Sequence, residues 1–270
     1  EIGCGKGFFF KILQNNYKNL RGFDKTFKGN NKKIKKRFLT KKDKINEKLI
    51  ILRHTLEHIH KPYDYLDFLR KISNNNPYIL IETPDLDWKI RNQAFFDINY
   101  EQPNYFSSKT FQNLFSKKLI INKKVFKKQY LLIMAKLNDL NRNYKSTEKF
   151  KNVNLIQLFP KLEKKIKCFN NINQNIFIWG AATKSLMFLI YLKLLNLKAF
   201  KNVRFAIDID KTKQNKFLPI VDIKIIDPKM LKKVMKPRDY IIVANSNYLS
   251  EVKKYIKNIK LIKINYRCLD

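Results

Sequence analysis

Apolar and polar positions alternate in a regular rhythm over residues 1 to about 137. Short apolar runs, which predict strands, lie at 20–24, 49–53, 78–82, 119–126 and 129–136. Helices are predicted over 8–15 and 62–72, and in the second of these the apolar residues recur at helical spacing. The last two strands are separated by only a few residues and predict a hairpin. Strands that alternate with helices predict a mostly parallel sheet, to which this hairpin adds an antiparallel edge.

The same rhythm restarts after a polar segment, 138–152, which we interpret as a linker or as the start of a connecting helix. Beyond it, strands are predicted at 175–179, 203–207, 240–244 and 261–264, with a further extended stretch at 218–226. Helices are predicted at 182–195, 228–235 and 248–256. The chain is therefore expected to hold two α/β domains, one at 1–137 and one at 153–270.

The charge of the chain is strongly basic: 57 lysines and arginines against 22 aspartates and glutamates give a formal net charge of +35. Such an excess is typical of nucleic-acid-binding proteins. Here the lysines are spread along the whole chain with many asparagines and isoleucines, and only 30–44 forms a dense patch. An AT-rich genome imposes this composition on any protein, so nucleic acid is not the expected partner. An RNA-binding or RNA-modifying protein stays open as an alternative.

The remaining composition narrows the class of protein further. No apolar run reaches the roughly 18 residues that a membrane span needs. The cysteines, Cys4, Cys168 and Cys268, are far apart and form no CxxC pair, so neither a zinc cluster nor a disulfide framework is predicted. A reducing, cytoplasmic compartment fits this cysteine usage.

The most informative stretch is the first one, Glu1-Ile2-Gly3-Cys4-Gly5-Lys6-Gly7. Glycines at alternate positions weaken a strand, but they suit a strand-to-helix turn whose backbone approaches a ligand closely. Asp24 ends the next predicted strand, where an acid can accept hydrogen bonds from ribose hydroxyls. Because the chain starts inside this motif, we expect it to be a fragment that lacks its first strand, and an inactive remnant is one alternative.

This loop and acid resemble the class I methyltransferases that use S-adenosylmethionine (SAM). In that family Glu-x-Gly-x-Gly-x-Gly lines the methionine and ribose parts of SAM, and the acid after the second strand holds the ribose. The resemblance implies a Rossmann-like sheet and SAM contacts from Glu1, Gly3, Gly5, Gly7 and Asp24. Cys4, inside the loop, and Arg53, at the end of the strand predicted at 49–53, complete the expected cofactor contacts. The acid that often follows the third strand has no match between Phe38 and Glu47, so the adenine contacts stay unassigned.

A second cluster, Arg53-His54-Thr55-Leu56-Glu57-His58, begins at the end of the strand predicted at 49–53, at the edge where such a sheet binds ligands. Histidine titrates near neutral pH, so His54 and His58 are candidates for proton transfer or substrate contact. On a helix they would also have the spacing of a metal pair, but no third ligand is evident and no metal is predicted. Structural roles stay open for Glu57 and His58.

This cluster resembles a segment, Arg-His-x-Leu-Glu-His, of methyltransferases that act on nucleotide-linked sugars. Further matches follow in order at 82–85, 99–107, 179–184, 206–210 and 244–248, and the resemblance covers nearly the whole chain. It implies methylation of a nucleotide-linked sugar in glycan or polysaccharide synthesis. It also implies a second Rossmann-like domain that helps to form the substrate cleft. The turn at 179–182 and Asp208 form either a degenerate nucleotide site or a purely structural turn.

One stretch departs from that subgroup. Where its sugar C-methyltransferases carry Tyr-His-Glu-His, this chain has Asn99-Tyr100-Glu101-Gln102. An amide cannot act as the base that carbon methylation requires, so Glu101 and His54 are the candidates for moving the proton. The acceptor atom, carbon or oxygen, therefore stays open, and an O-methyltransferase acting on another metabolite is the alternative enzyme. The candidates for orienting the acceptor are Tyr100, Gln102, Tyr105 and His58.

Overall fold

The computed structural model describes residues 1–99, 101–144 and 155–269. The chain divides into two compact units, the first made of residues 1–92 and 100–152, the second of residues 93–99 and 153–270. In the predicted linker, residues 138–144 are described and residues 145–152 lie outside the described part of the chain. Leu140 of this segment is buried in the core of the first unit, and the Tyr144 ring stacks on Tyr63.

The first unit is built on a mostly parallel sheet. Its strands are β1 (Gly22–Phe23), β2 (Ile34–Lys35), β3 (Leu49–Arg53), β4 (Tyr78–Pro84), β5 (Leu119–Val125) and β6 (Tyr130–Lys136). Pairs β1–β2 and β3–β4 are parallel, whereas β6 runs antiparallel to both β4 and β5, as the predicted hairpin requires. Ile2 forms parallel bridges to Phe23 and Leu52, so the stretch before the glycine loop lies between β1 and β3.

The helices of the first unit are α1 (Phe8–Asn16), α2 (Pro62–Ile72), α3 (Leu86–Arg91) and α4 (Ser108–Leu114). In α2 a proline occupies the first turn, where its missing N–H costs nothing. The predicted apolar stripe of α2 packs inward, with Leu66, Leu69 and Ile72 buried against the sheet residues Ile79 and Ile81 in one core cluster. Each fully buried leucine or isoleucine contributes about 1.5–3 kcal/mol. This core fixes the carboxyl ends of β3 and β4, from which the candidate site projects.

The second unit holds a six-stranded sheet in the order β12-β11-β7-β8-β10-β9. All neighbours are parallel except β9 and β10. The strands are β7 (Ile176–Trp179), β8 (Val203–Ile207), β9 (Phe217–Leu218), β10 (Ile223–Ile226), β11 (Tyr240–Val243) and β12 (Asn265–Cys268). Helices α5 to α10 span Leu155–Leu158, Pro160–Lys167, Thr183–Leu195, Leu197–Lys201, Leu231–Val234 and Leu249–Asn258. The Rossmann-like α/β class predicted for both domains is confirmed.

Two strands were not placed correctly by the apolar pattern. The strand predicted at 261–264 is wrong: the last strand is β12, four residues further on. Lys260 and Lys263 have left-handed backbones, with φ of 59° and 55°, and the Ile262 side chain is 65% exposed. The second case is β2, which has only two residues in a lysine-rich stretch and gives no apolar run.

No helix among the described residues is long and apolar enough to cross a lipid bilayer.

Candidate active site

The glycine loop turns sharply from the Ile2 position into α1. Gly3, Gly5 and Gly7 all have left-handed backbones, with φ of 78°, 54° and 78°, a conformation that costs other residues about 1–2 kcal/mol. A Cβ atom on Gly3 would collide with Thr55 Oγ1, whereas one on Gly5 would meet no atom within 4 Å. The Gly7 N–H donates to the Cys4 carbonyl at 2.8 Å and closes the turn. The loop therefore packs tightly at Gly3 and is open beside Gly5.

Asp24 lies directly after β1 and faces the loop. Its Oδ2 accepts a hydrogen bond from the Gly5 N–H at 2.7 Å. Its Oδ1 accepts from the Thr26 N–H at 2.7 Å and from the Thr26 hydroxyl at 2.8 Å. A carboxylate oxygen has further lone pairs, so Asp24 can still accept hydrogen bonds from a ligand. The structure thus brings together the loop and the acid that the sequence associated with SAM.

Glu1 supplies a second carboxylate beside the loop. Its Oε2 atom is buried and has no hydrogen-bond partner among the described residues. Burial raises the pKa of Glu1, partly against the nearby Arg53 charge, which lowers it. The Arg53 guanidinium lies 4.0 Å from the centre of the Phe9 ring and donates to Glu82 Oε1 at 3.0 Å. A buried acceptor without a partner is costly unless a ligand donor satisfies it.

These features meet the needs of SAM in three respects. The ammonium of its methionine part would satisfy the buried Glu1 oxygen, and ribose hydroxyls could donate to Asp24. The open space beside Gly5 lets a ligand approach the backbone.

Phe38, which follows β2, adds an exposed ring near Lys25, whose Nζ lies 5.4 Å from the ring centre. Sequence reasoning did not select Phe38 as a candidate adenine contact. The signal would have been an aromatic residue shortly after β2, a strand that the apolar pattern did not reveal.

Cys4 takes a different position from the other predicted cofactor contacts. Its side chain is buried in a small core cluster with Phe10, Phe27 and Ile34. Burial raises the pKa of the Cys4 thiol to about 12, so the thiol stays protonated and inert at neutral pH. Any contact from Cys4 to a cofactor would therefore come from its backbone.

The loop after β2 is fixed by an ion pair. The Arg37 guanidinium donates to both oxygens of Asp43, at 2.7 and 2.6 Å. Thr40 adds hydrogen bonds to Asp43 from its backbone N–H and its hydroxyl, each at 2.8 Å. The guanidinium holds the pKa of Asp43 well below its usual range. Asp43 lies between Phe38 and Glu47, where the family's adenine-contacting acid has no match, and its carboxylate holds this loop.

His54 lies between two carboxylates at the carboxyl end of β3. Its Nδ1 lies 3.5 Å from Glu57 Oε1, and its Nε2 lies 3.1 Å from Glu82 Oε1. Glu57 is 1% exposed, and its other oxygen accepts a hydrogen bond from the Thr83 hydroxyl at 3.2 Å. Glu57 in the first place, and then the charge of Glu82, raise the pKa of His54, although partial burial opposes them. The arrangement favours the imidazolium form, with a proton on each nitrogen.

The sequence alone did not identify Glu57 and Glu82 as partners of His54. Their signal was present in part, because Glu57 follows β3, Glu82 lies near the end of the neighbouring strand β4, and parallel neighbours end at the same sheet edge. The metal-pair spacing of His54 and His58 does not apply, because the backbone of His54 is left-handed (φ 47°) and only a short 3-10 turn, Leu56–His58, follows.

The 101–106 segment is anchored against that turn. His58 Nδ1 lies 2.6 Å from the Glu101 carbonyl oxygen, and the Asn104 side chain donates to the Ile59 carbonyl at 2.6 Å. The Glu101 side chain itself is exposed. Predicted residues from two distant parts of the sequence, His58 and Glu101, are therefore neighbours. Tyr100, another predicted contact, lies outside the described residues.

Gln102 and Tyr105 converge on a lysine that the sequence did not indicate. Lys89, on α3, is only 2% exposed. Its Nζ donates to Gln102 Oε1 at 2.8 Å and lies 4.9 Å from the centre of the Tyr105 ring. Helix α3 starts directly after β4, with Asp85 accepting from the Asp87 N–H as its N-cap. That placement brings Lys89 into contact with the 101–106 segment.

The second unit has its own strand-turn-helix at the end of β7. Gly180 has φ of 100°, and the Ala181 N–H donates to Asp208 Oδ2 at 2.9 Å. The same oxygen is 2.9 Å from Lys213 Nζ, and Asp208 Oδ1 accepts from the Asp210 N–H at 2.9 Å. Both Asp208 oxygens are thus engaged by the protein itself, as both Asp24 oxygens are in the first unit.

Comparison with protein families agrees with this geometry. The family model described as a methyltransferase domain matches residues 1–118. The model described as the C-methyltransferase C-terminal domain matches residues 141–262. A comparison with curated proteins finds none that matches the chain.

The chain is a methyltransferase enzyme. More particularly, it belongs with the methyltransferases that carry the C-methyltransferase C-terminal domain behind the methyltransferase domain.

Proposed function

We propose that the chain transfers the methyl group of SAM to a nucleotide-linked sugar. The observation that carries the SAM assignment is the loop itself: glycines in left-handed conformation, the Gly5 N–H bound to Asp24, and the buried Glu1 oxygen without a described partner. When bound, SAM supplies an electrophilic methyl group. Glu1, Gly3, Gly5, Gly7, Asp24 and Arg53 would hold it, together with the backbone of Cys4.

The enzyme must then align the acceptor and move one proton. His54, placed between Glu57 and Glu82, is suited to keep its proton and to present positive charge to an acceptor oxygen. Glu101 has an exposed carboxylate on an anchored backbone and is suited to accept a proton. We therefore assign proton removal to Glu101 and stabilisation of negative charge to His54.

The sugar acceptor is supported by the resemblance of the whole chain and by the match of its second domain. A net charge of +35 would also attract an acceptor that carries a diphosphate. The cytoplasm, predicted from cysteine usage, remains part of this proposal.

Methyl transfer from SAM with a labelled methyl group to a panel of nucleoside-diphosphate ketosugars tests the proposal. We expect Glu101→Gln to lower kcat at least tenfold, since general acid–base catalysis contributes roughly 10²–10⁴-fold. His54→Ala should also lower kcat at least tenfold, since loss of one donor that stabilises developing negative charge costs roughly 10²–10³-fold. Both variants should keep the SAM affinity of the wild type. Full turnover in either variant would remove its assigned role, and transfer to none of the sugars would remove the acceptor class.

One observation favours a second candidate, O-methylation. The position aligned with an imidazole in sugar C-methyltransferases is Gln102, which cannot remove a proton from carbon. A hydroxyl acceptor needs a weaker base than a carbon acid does. The ¹³C chemical shift of the transferred methyl group in the product separates a carbon-bound from an oxygen-bound methyl group.

A further inference from the structure

Lys89 is a buried cation beside the segment that we assign to the methyl acceptor. Lysine is almost never fully buried without a partner. Its ammonium contacts two residues of the 101–106 segment, the Gln102 amide and the face of the Tyr105 ring. Both were predicted to orient the acceptor, so Lys89 reaches the acceptor site through them.

The chemistry of this contact fixes the orientation of the Gln102 amide. An ammonium group has three donors and no acceptor, so the Gln102 amide must bind it through its oxygen and not through its NH2 group. The atom at 2.8 Å is accordingly Gln102 Oε1. The Nε2 amide group then points away from Lys89, and among the residues that the structure describes none accepts a hydrogen bond from it. Gln102 therefore presents a donor and no acceptor on its other side.

We propose that Lys89 is a positioning residue that holds Gln102 as a fixed N–H donor for an oxygen atom of the methyl acceptor. This inference rests on the proposed function and specifies the acceptor: it carries either a carbonyl oxygen next to a methylated carbon or a hydroxyl whose own oxygen is methylated. In carbon methylation the donor stabilises the oxygen of an enolate after a base has removed the proton from carbon. In oxygen methylation it orients the acceptor hydroxyl. In both cases Gln102 supplies a hydrogen bond and leaves proton removal to another group.

A double-mutant cycle tests this role with the same labelled-methyl assay on nucleoside-diphosphate ketosugars. Gln102→Glu keeps the shape and the contact to Lys89 but removes the donor, and we expect kcat to fall about 100-fold, as for loss of an oxyanion donor. Lys89→Met keeps the side-chain length without the charge and should lower kcat about tenfold with little change in SAM affinity. Because the two residues act as one unit, the double variant should be no slower than Gln102→Glu. Lys109→Met, on the exposed face of α4, controls for the lost charge and should match the wild type.

Wild-type kcat in Lys89→Met, or fully additive losses in the double variant, would overturn the proposal. A second readout needs neither turnover nor the Lys89→Met variant. In ¹⁵N-labelled wild-type protein, the Gln102 side-chain amide signal is identified by its absence in Gln102→Glu. It should shift when the ketosugar nucleotide is added and stay in place with the parent nucleoside diphosphate alone. An amide signal that ignores the ketosugar would contradict the donor role. An enzyme that binds the sugar with this shift but transfers no methyl group would count against the proposed function and not against Lys89.

Discussion

Two glycines of the same loop, Gly3 and Gly5, respond differently to an added methyl group. At Gly5 the left-handed backbone (φ 54°) is the only obstacle, because a Cβ would meet no atom within 4 Å. Gly5→Ala should therefore lower the free energy of unfolding by about 1–2 kcal/mol, the cost of that conformation for an L-residue. At Gly3 the same conformational cost applies, and the Cβ also collides with the side chain of Thr55. Overpacking adds about 1–3 kcal/mol, so Gly3→Ala should lose about 2–5 kcal/mol in total.

Urea unfolding of the full-length protein measures both values, provided that the slope m stays unchanged between variants. The order of the two variants should be reversed for SAM affinity: Gly5→Ala, the more stable variant, should lose more SAM affinity than Gly3→Ala. The Gly5 methyl would project into the space that we assign to SAM, and a tenfold weaker affinity corresponds to about 1.4 kcal/mol. We expect at least that loss from a well-folded Gly5→Ala protein. Equal stability of the two variants would refute the steric argument, and wild-type SAM affinity in Gly5→Ala would place the cofactor elsewhere.

Three further outcomes follow from single side chains. His54 has a raised pKa in the folded state because of Glu57, so its stabilisation is present below the unfolded pKa of about 6.5 and is lost as the pH rises through the folded value. The stability gap between wild type and His54→Gln in urea should thus be wider at low pH than at high pH, and a gap that widens with pH would contradict the carboxylate contacts. Iodoacetamide near neutral pH should label the exposed Cys168 and spare Cys4, whose pKa is about 12; mass spectrometry of peptides reads the difference. Phe38→Ala should weaken SAM binding by about 1–3 kcal/mol if the exposed ring stacks on adenine, and unchanged binding would exclude that contact.

Much of the fold could be predicted because burial leaves a regular pattern. Strands β3, β4 and β8 and helix α2 follow from continuous apolar runs or helical spacing. Strand β2 has only two residues, one buried and one exposed, so it carries no periodic signal. Near the end of the sequence, the apolar run at 261–264 is irregular, and β12 is set by pairing with β11 through Tyr266 and its neighbours. Pairing of this kind is long-range and is invisible in a local window.

The candidate site was predictable where backbone conformation demands a residue type. The loop glycines follow from that demand, and Asp24 follows from its place at the end of a predicted strand. They lie together in the structure. The partners of His54 and of Gln102 could not be found in the same way. Glu82 and Lys89 come from other elements and meet them only through the sheet and through the position of α3. A buried lysine in a sequence with 57 basic residues gives no local signal.

Calorimetric titration of the full-length protein with SAM tests the central claim most directly. The account predicts binding in the micromolar range, weakened at least tenfold by Asp24→Ala, whose carboxylate joins the loop to the expected ribose position. Asp64→Ala, which removes an exposed carboxylate on α2, should bind as the wild type does. Thermal melting of each variant confirms that the fold is kept. Absence of SAM binding by the folded wild type, or equal affinity in Asp24→Ala, would contradict the assignment of this loop as the cofactor site.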